Sequence, residues 1–210
     1  LLDTTGIAAV PVVNIDERNR IVAGTPWYLR KNANGVDINR NFDADWKDEE
    51  CRYGQSNLDA RSNTYRGQAP ASEPETRAVT AFFEQIRPRA VFSYHCLPED
   101  DADTLFFPTR HAVGDQAYAS SCQELASLFS GRFSGREMKP EQIRFVSASG
   151  SLPHWVYAKL RVPAFDMECF LPPGRNSFDV LRRDDVDAAC VGRYVQRSVT
   201  AIEEVLRKLA

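Results

Sequence analysis

The stretch Leu152-Pro153-His154-Trp155-Val156-Tyr157-Ala158-Lys159-Leu160, followed after three residues by Ala164-Phe165-Asp166-Met167, decides the fold class. Leu152 to Leu160 suits a short helix, and Ala164 to Met167 reads as a buried strand. The alternation continues upstream. Ser72-Glu73-Pro74-Glu75 reads as a capping box, with Ser72 as N-cap, Glu75 at the third position and the proline inside the first turn. Val79, Phe82, Phe83 and Ile86 follow at helical spacing until Pro88 stops the helix. Short strands are expected from Ala90 to Tyr94, running into His95, and from Thr104 to Phe107, with a helix from Ala117 to Phe129 between them and Leu152. The last helix presents Val191, Val195, Val199, Ile202, Leu206 and Leu209 on one face. At the other end, Ile7-Ala8-Ala9-Val10-Pro11-Val12-Val13 is a continuous apolar run, typical of a strand buried on both faces. Strands alternating with helices predict an α/β architecture, a mixed and largely parallel central sheet with helices on both faces.

Composition sets limits on function. The chain has 210 residues, 43% hydrophobic and 26% charged, enough to bury a sizeable core as one domain over residues 1–210. A net charge of −3 argues against a nucleic-acid partner, which normally needs a basic face. No run approaches the roughly 20 apolar residues of a membrane span, so no membrane role is expected. Five cysteines are scattered, odd in number and without C-x-x-C spacing, which favours reduced thiols and a cytoplasmic setting. The segment from Asp43 to Gln68 is polar and loop-like, and there is no internal repeat.

Chemistry concentrates in Gly35-Val36-Asp37-Ile38-Asn39-Arg40-Asn41-Phe42, with Arg30 shortly upstream. Asn39 and Arg40 set an amide beside a planar two-pronged donor, the pairing that grips a carboxylate. Arg30 adds a second guanidinium before the turn at Asn34-Gly35. The wording Arg-x-Asn-Ala-x-Gly-Val-Asp-x-Asn-Arg-Asn-Phe resembles the zinc metallocarboxypeptidase family. Further segments fall in the same order: Tyr65-Arg66-Gly67, Ser72 to Thr76, Phe92-Ser93-Tyr94-His95-Cys96, Gly150-Ser151-Leu152-Pro153-His154-Trp155, and Phe165-Asp166-Met167-Glu168. Together they cover nearly the whole chain.

His95 and Glu168 each stand at the tip of an expected strand, where ligands collect in open α/β sheets. A histidine there can ligate zinc, and a partly desolvated glutamate can act as a general base. The resemblance implies that His95 is one zinc ligand and Glu168 the catalytic base. It also implies that Arg30 stabilises an oxyanion and that Asn39 and Arg40 hold the terminal carboxylate of a peptide. Pro153 and His154 fall where the family lines its side-chain pocket, although a hydrogen-bonded structural role suits His154 equally. Asp37 takes the place of a carboxylate that orients another zinc-bound histidine. A turn carboxylate bonding its own backbone is the other reading of Asp37.

Three departures shape the expectation. The family also holds zinc through a His-x-x-Glu motif, but none of the three histidines here (His95, His111, His154) is followed by Glu at the third position. Thirteen residues precede Asn14, too few for the strand, ligand loop and helix that the family places there. The expectation is therefore a hydrolase domain without its N-terminal strands, with a metal-free carboxylate-binding module as the alternative. The third departure is at Phe145-Val146-Ser147, where the resemblance calls for a substrate-closing tyrosine; Tyr157, nearby, fits a core position better. That leaves room for an amidase of the same family acting on cell-wall peptides. No acid accompanies Pro153, so a preference for basic side chains is not expected.

Overall fold

Alternate side chains of one central strand organise the two halves of the core. The computed structural model describes residues 5–24, 29–47, 58–95, 104–169 and 188–210. Its sheet has the order β1 (Val91–His95), β3 (Ala164–Cys169), β2 (Thr104–Phe107). β1 runs parallel to β3 and β2 antiparallel to it, so the sheet is mixed. Successive side chains on a strand point to opposite faces. Phe165 and Met167 accordingly enter one cluster with Phe106, Phe129 and Phe133, while Ala164 enters the other with Val91, Leu152, Trp155 and Val156.

Helices cover both faces. On the aromatic side lie α3 (Gln116–Ser134) and α5 (Ala188–Leu209), and on the other α2 (Pro74–Ile86) and α4 (Leu152–Leu160). The short α1 (Ile15–Val22) lies near the start of the chain. Phe92 stacks on Phe129 at 5.6 Å and tilts against Phe165 at 5.1 Å, aromatic pairs that add to simple burial. Ends of helices follow local chemistry: Asp115 caps α3 by accepting from the Tyr118 N–H at 3.0 Å, and Gly135 ends it with φ of 70°.

Several expectations need correction. Residues 7–13 form no strand; Ile7 and Val10 stand 58% and 43% exposed, because no described strand lies beside them to complete a ladder. Ser72 is not the N-cap of α2. Glu73 takes that place, since the Ser72 hydroxyl accepts from Asn41 and donates to Glu73 at 2.6 Å. On α5 the buried face is Ala201, Val205 and Leu206, packed against α3, whereas Val191, Val195 and Val199 are exposed. The helices α2 and α4 and the strands β1 and β2 stand where the sequence placed them to within two residues. α3 is extended at both ends, β3 runs on to Cys169, and α1 is a helix that the sequence reading did not place. Among the described residues no helix is long and apolar enough to cross a membrane.

Candidate functional site

The loop bearing Arg30 to Phe42 is built around one asparagine. Asn32 closes the turn by accepting from the Val36 N–H at 3.0 Å and the Asn34 N–H at 3.2 Å, while Gly35 takes the positive φ (75°) the turn requires. Its amide nitrogen donates to buried Glu73 at 2.8 Å, tying the loop to the start of α2. Burial opposes the charge on Glu73, but donors from Asn32, Ser72 and Asn34 outweigh it and hold its carboxyl below the ordinary range.

Beyond the turn, the polar side chains converge. Arg30 donates from Nε and Nη2 to a single oxygen of Asp37, at 2.9 and 2.7 Å. The other Asp37 oxygen caps the short 3₁₀ turn Ile38–Arg40 by accepting from the Asn39 N–H at 3.2 Å. Asp37 therefore bonds its own turn and also pairs with Arg30. Asn39 accepts from the Leu152 N–H at 2.9 Å and donates to Asp166 at 3.0 Å, so it joins the first turn of α4 to β3. Arg40 folds one Nη onto the Asn39 carbonyl at 2.7 Å. Its own carbonyl lies against Gly150, where an added Cβ would come within 2.5 Å.

His95 and Glu168 are partners across the parallel β1–β3 pairing. They lie two residues beyond Ser93 and Asp166, which are partners as well, so all four share the face toward α4. His95 Nε2 is 3.1 Å from Ser93 Oγ and 3.2 Å from Asp166 Oδ1. Ser147 donates to the other oxygen of Asp166 at 3.0 Å. Burial opposes charge on His95, but Asp166 first, then Glu168 and Asp37, raise its pKa. Burial likewise opposes charge on Asp166, and His95, Asn39 and Arg40 overcome it to lower the pKa. Glu168 is 2% exposed.

Arg30, Asp37, Asn39, Arg40 and His95 are thus linked through one polar network, and the charge of Glu168 acts on His95 beside it. Pro153 is buried in the first turn of α4, and His154 follows it but turns elsewhere. Its Nε2 lies 3.1 Å from Asp45, and its ring stacks on His111 with centroids 3.9 Å apart. Tyr157 belongs to the core side, with its hydroxyl on Asp115 and its ring edge-on to Tyr118. Cys96 lies outside the described residues, and Cys122 is buried, its thiol pushed up to about 12 by that burial. Asp166, Ser147, Asp45 and His111 escaped the sequence reading. Asp166 alone left a signal, being two residues before Glu168 and hence on the same strand face.

Zinc can be tested against these side chains. Among the described residues, the metal-capable atoms of three side chains converge in one place, Asp45, His111 and His154, and not around His95. His95 fits as a single ligand, fewer than a zinc centre requires.

These features meet in one class, and the chain belongs to it: the zinc carboxypeptidase family, whose family model matches residues 1–180. Murein peptide amidase A of Escherichia coli (strain K12) is 43% identical over 70 residues, 32% of this chain and 29% of that protein. Carboxypeptidase O of Bos taurus is 38% identical over 93 residues, 40% of this chain and 23% of its own length. Carboxypeptidase A from Helicoverpa armigera shares the fold with a TM-score of 0.64 at 18% identity, over 94% of this chain and 51% of that structure. The chain spans about a quarter to a half of these proteins.

Proposed function

We propose that the protein carrying this chain hydrolyses the bond before a terminal residue with a free carboxylate, in a peptide or peptide-like substrate. The observation that supports this best is that the turn carrying Arg40, with Arg30 paired to its Asp37, is tied through Asn39 to Asp166, on the strand face that carries Glu168. Arg40, with the Asn39 amide beside it, binds the substrate carboxylate through charge-assisted hydrogen bonds. Arg30, pinned by Asp37, supplies positive charge where the carbonyl oxygen becomes an oxyanion. Glu168, nearly shut off from solvent, takes a proton from the attacking water and delivers it to the leaving nitrogen as the C–N bond breaks. The family's zinc, when bound, would polarise the carbonyl and the water, and the described residues offer it His95 alone at this place.

A second reading within the same site is amide cleavage in cell-wall peptides. It is favoured by the absence of tyrosine from Phe145-Val146-Ser147 and by the 43% identity to murein peptide amidase A. Cleavage of matched peptides with free and amidated termini tests the proposal. Preference for the free acid supports it, equal cleavage moves the assignment to an amidase or endopeptidase, and binding without cleavage leaves a carboxylate-binding module.

A further inference from the structure

We propose that Asp45, His111 and His154 form a binding site for a divalent cation of the zinc class, distinct from the place occupied by His95. The three come from separate parts of the fold. Asp45 follows the clamp loop, His111 lies in the 3₁₀ turn Arg110–Ala112 after β2, and His154 is in the first turn of α4. Two imidazole nitrogens and one carboxylate oxygen make a donor set that suits zinc.

The distances agree with that assignment. Zinc bonds of 2.0–2.2 Å at tetrahedral angles place neighbouring ligand atoms about 3.3 Å apart. Asp45 Oδ2 is 3.1 Å from His154 Nε2 and 3.8 Å from His111 Nδ1, and the ligand atoms of all three lie within 4.8 Å of one another. Small movements therefore suffice to close the set. The two rings are stacked at 18°, and a shared ion would splay them, exchanging the stack for two coordinate bonds.

The surroundings hold the donors in place. His154 is 3% exposed and anchored on α4, whose N-cap Ser151 accepts from the His154 N–H. Asp45 adopts φ of 43°, an uncommon backbone for a residue with a side chain, and the adjoining Ala44 carbonyl accepts from the Gly150 N–H at 2.8 Å. His111 Nε2, the ring nitrogen turned away from Asp45, is 3.0 Å from Ser149 Oγ. Arg110 Nε also donates to this nitrogen at 3.3 Å, so ligation through Nδ1 requires that contact to part. The ring proton then sits on Nε2, donated to Ser149, the kind of outer partner that ligating histidines usually carry. Asp45 is 63% exposed, leaving a fourth position to water.

Zinc content and affinity of the purified protein, measured by competition with a chromophoric chelator, test this. In the His95→Ala protein one Zn²⁺ per chain should remain, and Co²⁺ should give the visible spectrum of a low-coordinate site. Adding His111→Ala or Asp45→Asn should abolish both signals, with circular dichroism unchanged for the exposed His111 position. Ser149→Ala should weaken the site by about 10–100-fold, as loss of an outer partner does elsewhere. No bound Zn²⁺ in the His95→Ala protein, or equal binding with and without His111, would overturn the proposal. Neither result depends on peptide cleavage, so the proposed hydrolytic function stands or falls separately.

Discussion

Arg30 places two of its nitrogens on one oxygen of Asp37, at 2.9 and 2.7 Å, leaving the other oxygen to cap the turn that carries Asn39 and Arg40. One carboxylate thus sets the position of an arginine and the conformation of the turn carrying Asn39 and Arg40 together. A charge-assisted contact of this kind is among the stronger hydrogen bonds in proteins.

This pairing separates the two arginines kinetically. In the proposed reaction Arg30 faces a charge that exists only in the transition state, so Arg30→Ala should lower kcat by about 10²–10³-fold with little change in KM. Asp37→Asn should lower kcat less. The double variant should be scarcely worse than Arg30→Ala, since the two residues share one interaction. Additive losses in steady-state kinetics would show that Asp37 acts on its own.

Arg40 should behave in the opposite way. The proposed bond to the substrate carboxylate would already form in the ground-state complex, so Arg40→Ala should raise KM by roughly 1.5–3 kcal/mol. Amidating the substrate terminus should reproduce that loss and add little to the variant. A kcat-only effect would remove Arg40 from the clamp.

Glu168→Gln keeps the shape and most of the packing at a position 2% exposed. Turnover should fall by about 10²–10⁴-fold while a non-hydrolysable carboxylate ligand binds as before, measured by calorimetry. Retained activity would reassign Glu168 to a structural role at the strand end.

Gly150 has φ of 72°, and a Cβ there would meet the Arg40 carbonyl at 2.5 Å. Gly150→Ala should cost about 1–3 kcal/mol of stability from the strained backbone. It should also raise KM, because relief of the clash displaces the backbone of Arg40. Chemical denaturation and steady-state kinetics read the two effects separately, and a destabilised enzyme with unaltered KM would show that the clamp is not seated on Gly150.

Glu73 gives a pH dependence with a definite sign. Its folded-state pKa is depressed below the ordinary value near 4.5, so its stabilisation is present above that pH and is lost as pH falls through the folded value. Glu73→Gln should therefore lower stability near neutrality and flatten the acid side of the stability profile. An unchanged acid limb would show that the donors from Asn32, Ser72 and Asn34 do not favour the charged carboxylate.

Much of the framework was legible because it is local. Pro88, the apolar run into His95, and the helix ahead of Ala164 each report on structure within a few residues. Ser72 was misread because its hydroxyl is claimed by Asn41, far away in the chain, and the valines of α5 because helical spacing does not say which stripe meets α3. Residues 7–13 show the same limit: an apolar run forms a strand only beside a partner. At the site, wording and strand position named Arg30, Asn39, Arg40, His95 and Glu168 as candidates. Ser147, His111 and Asp45 reach their places through loops whose course no periodicity encodes. Asp166 needed only the two-residue repeat of its strand.

The Asn39 side chain carries a directional demand. Its oxygen faces a donor, the Leu152 N–H, and its nitrogen faces an acceptor, Asp166. An aspartate would set two negative groups against each other, a leucine would strand both neighbours, and a glutamine would overshoot the gap between helix and strand. Only an amide of this length, in this orientation, reconciles its two neighbours. The position works as a lock with polarity, and homologues that share this helix and strand but depart from asparagine here should show a compensating change at Asp166.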